Sequence, residues 1–166
     1  MDMLLLVVNK CSWAIVAALG FAVMFSVPKR ALWAVALLSA LLYGLRIVAL
    51  YYGVELVVAT FIAVCFGGLI SIRIAHWVNS PTMVFMVPAV IPMVPGISAY
   101  RAMMGLMQIT RSPEPAPELL YQTVSNGLTA LFVILALAVG VSLPALILRN
   151  RSIREVFGWT KSYHYR

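Results

Sequence analysis

The sequence predicts an all-α integral membrane protein with about five transmembrane helices, the fourth discontinuous at a Pro/Gly-rich break, and three observations predict it. Composition is the first: 63% of the 166 residues are hydrophobic and 10% charged, with a mean hydropathy of +1.00, which excludes a water-soluble fold. The second is the gathering of apolar residues into five runs, since about 20 such residues span a bilayer as a helix. The third is the set Pro88, Pro92 and Pro95-Gly96 in run four. Each proline removes an amide donor and crowds a preceding carbonyl, so one continuous helix is not expected there.

The first span, 4–25, is closed by Ser26-Val27-Pro28-Lys29-Arg30, a proline and two cations at a membrane surface. A signal peptide would have a basic start, whereas the first nine residues carry Asp2 and no cation, so the span is read as retained. The second, 31–52, has Trp33 and Tyr51-Tyr52 at its ends as interfacial aromatics, and Gly53 as the turn. The third, 54–74, starts with Glu55 and finishes among Arg73, His76 and Trp77. Asn79-Ser80-Pro81 precedes the fourth, 82–109, and a Pro-rich loop from Arg111 to Glu118 precedes the fifth, 119–148. Residues 1–148 thus form a single transmembrane domain, and 149–166 a basic cytoplasmic tail.

Cations set the orientation. With the amino terminus outside, Lys29, Arg30, Arg73, Arg149, Arg151, Arg154, Lys161 and Arg166 fall in the cytoplasm and Arg111 alone in an outer loop, as the positive-inside rule requires. A net charge of +7 distributed this way is topology information and not a nucleic-acid groove.

Three cations lie inside apolar runs, where a charge is costly and marks a candidate site. Lys10 and Arg46 are near helix ends and can snorkel outward. Arg101 is about 13 Å from the outer end of run four. A half-helix restarting after Pro95-Gly96 near the midplane would present unpaired amides and a positive dipole end there, with Ser98 and Tyr100 as polar contacts, Gly96 allowing close backbone approach, and Arg101 as a fork for a carboxylate. The alternative is a structural kink whose carbonyls are satisfied within the protein, Arg101 bound to one of them. Six methionines, Met83, Met86, Met93, Met103, Met104 and Met107, suit an adaptable cavity wall or lipid-facing packing. Gln122, Ser125, Asn126 and Thr129 share a face of the fifth span and predict an interhelical hydrogen-bond seam, with contact to a solute as the second reading. Ala59, Ala63, Gly67 and Ser71 form a small-residue ridge for close helix packing.

All five carboxylates, Asp2, Glu55, Glu114, Glu118 and Glu155, sit at helix ends, in loops or in the tail. The sequence therefore offers no carboxylate relay, no metal-ligand spacing, no catalytic pair and no cofactor motif. Cys11 and Cys65 lie in apolar stretches as small hydrophobes.

Val90-Ile91-Pro92-Met93-Val94-Pro95-Gly96-Ile97-Ser98-Ala99-Tyr100-Arg101-Ala102-Met103 resembles the signature of the threonine/serine exporter family, and Gly20 to Leu32 resembles its first span and turn. The likeness is best to the small YjjB-like membrane subunit of the split form. It implies an inner-membrane protein of bacteria working with a larger YjjP-like subunit, with succinate as the exported solute of split members and threonine or serine of fused ones. Intramembrane cations without intramembrane anions favour a carboxylate solute, a C4-dicarboxylate in particular, with Lys10 or Arg46 as a second cation and Gln122 and Asn126 as accessory contacts. A non-transporting membrane scaffold is the competing class. An odd number of spans also predicts two halves of opposite orientation.

Overall fold

The structure is a computed structural model, and it describes residues 3–112 and 116–149. The tail from 150 to 166, Asp2 and the 113–115 part of the Pro-rich loop, Glu114 included, lie outside the described residues. Among the described residues there are six α-helices, α1 (Met3–Met24), α2 (Leu32–Tyr51), α3 (Leu56–Val78), α4 (Thr82–Val90), α5 (Gly96–Arg111) and α6 (Pro117–Arg149), with 3-10 turns at Lys29–Ala31 and Ile91–Met93. Among the described residues there is no strand. Among the described residues four helices are long and apolar enough to cross a membrane, and the α4–α5 pair, bent by 55°, raises the count to five when it is taken as one broken span. The expected all-α membrane fold with a discontinuous fourth helix is what the chain forms.

Helix ends follow from local chemistry. Ser26 and Asn79 take positive φ (56° and 49°), and the Asn79 left-handed cap closes α3 with the Ser80 amide donating to the Ala75 carbonyl at 3.3 Å. Gly53, at φ 82°, turns the chain between α2 and α3, a conformation that needs no Cβ. Arg30 Nη2 donates to the Asn79 carbonyl at 3.3 Å, so the α1–α2 and α3–α4 loops meet at one end of the bundle. The α2–α3 turn is at the other.

Small residues set the close approaches. Ala59, Ala63, Gly67 and Ser71 are all buried on α3, and a Cβ on Gly67 would enter the Leu42 side chain of α2. Ser39 Oγ donates to the Ala14 carbonyl of α1 at 3.1 Å and Cys11 Sγ to the Ala40 carbonyl at 3.5 Å. α4 lies against α2, α1 and α3, with Phe85, Met86 and Ala89, and Met93 of the following 3-10 turn, fully in the core. Gly67→Ala should therefore lower the thermal midpoint of the purified protein, since overpacking costs about 1–3 kcal/mol. The same change in a Leu42→Ala background should be neutral or stabilising, because the added methyl then fills the space left by leucine.

α5 and the first half of α6 stand apart from that bundle. Gly105 sits against Thr123 and Gly127 against Ala102, so the two helices run antiparallel, while the 55° bend keeps α5 within that angle of α4. Hence α6 runs in the sense of α3. Gly140 contacts Val64. From Thr123 to Gly140 is about 25 Å of helix, whereas from Val64 back to the start of α3 is about 12 Å. Measured along α6, the Gly105–Thr123 contact lies about 13 Å beyond Leu56, the first residue of α3. The two helices form an arm that leans out past the α2–α3 turn.

Candidate functional site

The break in run four is built from three consecutive departures from helix geometry. Pro92 opens a 3-10 turn, and the Val94 amide donates to the Ile91 carbonyl at 3.0 Å. Pro95, at φ −82° and ψ 57°, is the centre of an inverse γ-turn closed by the Gly96 amide on the Val94 carbonyl at 2.9 Å. The ladder of α5 begins with the Ala99 amide on the Pro95 carbonyl at 3.0 Å. The Ile97 and Ser98 amides precede that ladder, as the first amides of any helix do.

Arg46 closes the gap. Its Nη1 donates to the Met93 carbonyl at 2.8 Å, replacing the bond that the interrupted helix cannot make, and its guanidinium lies 6.0 Å from the centre of the Tyr43 ring one turn earlier on α2. A cavity of about 420 Å³ opens beside it, lined by Tyr43, Arg46, Pro92, Pro95, Gly96 and Ser98 among others. One of the five guanidinium N–H donors is used by Met93, and Arg46 also lines the cavity. The cavity thus gathers a fixed cation, a hydroxyl and the start of a helix, a set suited to an anionic oxygen.

Lys10 lies next door. A neighbouring cavity of about 380 Å³ is lined by Lys10, Trp13, Ala14, Ala17, Tyr43 and Pro92. Tyr43 and Pro92 line both cavities, so the two cations flank the same pair of side chains. A third cavity, about 550 Å³, lies between α5 and α6 and is bordered by Tyr100, Arg101, Gln122 and Asn126.

The expected single cavity around the break is therefore divided, and three expectations are corrected. Pro95, Gly96 and Ser98 meet Arg46, whereas Tyr100 and Arg101 meet Gln122 and Asn126. The reason is the 55° bend, which swings α5 away from α2 and onto α6. The break is also not near the middle of the bundle: Leu56, the first residue of α3, lines its cavity, because α4, the 3-10 turn and two extended residues already advance about 26 Å before the helix restarts. Arg46, expected to snorkel outward, instead turns inward to the backbone, and the structural carbonyl weighed as a partner for Arg101 belongs to it.

The polar face of α6 differs too. Asn126 Nδ2 donates to the Gln122 carbonyl and Gln122 Nε2 to Glu118 Oε1, both at 2.7 Å, so these bonds run along α6 and not across to another helix. Contact with α5 comes from Gly105 on Thr123. Sequence reasoning missed Tyr43, whose signal is its i, i+3 spacing to Arg46 on one helix face. It also missed the Met93 carbonyl, for which no side-chain pattern gives a signal.

The family model described as Threonine/Serine exporter, ThrE, matches residues 10–147. The chain belongs to the threonine/serine exporter family. The matched region contains the break and every residue named on the three cavities. Membership of this exporter family makes the chain a membrane transporter protein whose surroundings are lipid and whose cargo is a small solute. No solved structure matches.

Proposed function

We propose that this chain is the membrane subunit of a two-component exporter of small carboxylates, succinate or another C4-dicarboxylate foremost, acting with a larger YjjP-like subunit. The observation that carries the reading is Arg46 at the helix break, with Gly96 and Ser98 beside it and Lys10 across Tyr43 and Pro92. One carboxylate takes the free N–H edge of Arg46, the Ser98 hydroxyl and the first amides of α5. The second takes Lys10. Threonine or serine fits less well, because its ammonium needs an anion and neither cavity is lined by a carboxylate. A non-transporting scaffold has no use for a cation held at a broken helix.

Release requires the guanidinium to let go. The Met93 carbonyl and the solute carboxylate compete for the same donors, so a shift of the break relative to α2 changes how many of them face the solute. The account is tested by proteoliposomes holding this chain with and without the larger subunit, against a panel of amino acids and mono- and dicarboxylates. Succinate transport that requires both proteins is the expected result. Full transport by this chain alone, or a preference for threonine and serine, would refute it.

Orientation is part of the proposal: amino terminus outside, tail in the cytoplasm of a bacterial inner membrane. The Arg30–Asn79 bond puts Lys29, Arg30 and the end of α3 on one side of the bundle, which supports the cation asymmetry. Single cysteines at Ser112 and Ser162, in a background without Cys11 and Cys65, should be labelled from outside and from the cytoplasm respectively. Labelling of both from the same side would contradict an odd number of spans.

A further inference from the structure

Two side chains stand between the two cations of the break. Tyr43 and Pro92 border both the 420 Å³ cavity of Arg46 and the 380 Å³ cavity of Lys10. They come from different elements, α2 and the 3-10 turn that follows α4, and both are half-buried. Neither folds away easily: the proline ring is tied to its own backbone, and a tyrosine moves a rigid ring about two χ angles. Tyr43 is also held by packing against the core, with the Arg46 guanidinium carbon 6.0 Å from its ring centre.

Each cation belongs to one cavity only. A Cβ on Gly44 would meet Cys11 Sγ at 3.3 Å and Val7 Cγ1 at 3.9 Å, and Cys11 Sγ donates to the Ala40 carbonyl at 3.5 Å, so Lys10 leaves α1 at about the level of Tyr43. Arg46 leaves α2 about 4.5 Å further along the axis. A solute that uses both cations therefore lays its chain across the edge of the Tyr43 ring. The number of methylenes between its two carboxylates decides whether both ends arrive together: too few leave one carboxylate unmatched, and too many buckle over a wall that does not yield.

We propose that Tyr43, backed by Pro92, is the specificity-determining residue of the site, its ring the fixed spacer that selects a dicarboxylate by chain length. This role rests on the reading of the two cavities as carboxylate sites and adds what the cations cannot supply. A lysine ammonium on a flexible stem follows a carboxylate over a range of distances, so charge alone does not measure length.

The test is transport of unbranched three- to six-carbon dicarboxylates by proteoliposomes holding the assembled complex, read as the ratio of each solute to the four-carbon one, so that expression and overall activity cancel. The wild type should favour the four-carbon acid by about tenfold or more over its neighbours, the order that one methylene is worth in a fitted pocket. Tyr43→Ala should cut that preference by about tenfold. Tyr43→Phe keeps the ring and should keep the preference, whatever it does to the rate. Tyr43→Leu retains an apolar side chain against the core without the ring, so it should give an intermediate profile and serves where alanine prevents folding. A four-carbon preference unchanged in Tyr43→Ala or Tyr43→Leu would overturn the spacer and leave the carboxylate site standing, and a Tyr43→Phe profile as flat as that of alanine would overturn it by assigning selection to the hydroxyl. A wild-type complex that moves no dicarboxylate would overturn both readings.

Discussion

Arg46→Ala should reduce dicarboxylate transport by the assembled exporter by at least one to two orders of magnitude. Two losses combine. The buried Met93 carbonyl loses its donor, since Arg46 Nη1 is the group that occupies it at 2.8 Å, and an orphaned buried polar group costs about 1–3 kcal/mol. The solute loses a charge-assisted contact worth roughly 1.5–3 kcal/mol, or about ten- to a hundred-fold in transport efficiency. Arg46→Lys keeps the charge without the planar fork and cannot hold a backbone carbonyl and a carboxylate together, so it should fall in between. Lys10→Ala separates the two halves of the site: dicarboxylate transport should drop while a monocarboxylate of the same length is moved at an unchanged rate. Equal losses for both solutes would remove Lys10 from the site.

Gly140→Leu should prevent assembly of the native bundle, the largest structural effect foreseen for a single substitution. A Cβ at Gly140 would lie 2.6 Å from Val64 Cγ1, 2.8 Å from its Cβ and 3.3 Å from its carbonyl carbon. The last of these is backbone, so no rotamer change clears it. Even Gly140→Ala should cost about 1–3 kcal/mol, the usual range for overpacking. Gly20→Ala, where nothing lies within 4 Å, is the control and should leave the thermal midpoint unchanged or slightly higher, as alanine is the better helix former.

The helices and the existence of a break were legible because composition and proline chemistry act locally. Pro92 and Pro95 cannot donate, whatever surrounds them, and the ridge from Ala59 to Ser71 repeats every four residues, so it had to share a face. Which cation serves the break was not legible. Arg46 and Arg101 are both long cations in apolar runs, and choosing between them depends on the bend angle and on the depth at which α4 stops. Those are set by packing of Phe85, Met86 and Met93 in the core and not by any motif. Gln122 and Asn126 were misread for a related reason: a polar face is equally able to bond along its own helix, as Asn126 does to the Gln122 carbonyl.

Solute protection of Ser98 is the most direct measurement of the central idea, that the carboxylate sits at the break and not in the arm. Ser98→Cys and Gln108→Cys, each in a background lacking Cys11 and Cys65, place a thiol on the 420 Å³ cavity and on the 550 Å³ cavity respectively. Alkylation is followed in the exporter complex with and without succinate. The account predicts that succinate slows labelling at position 98, that Arg46→Ala removes this protection, and that labelling at position 108 is unaffected. Protection at 108 with none at 98 would contradict it and return the solute to Arg101.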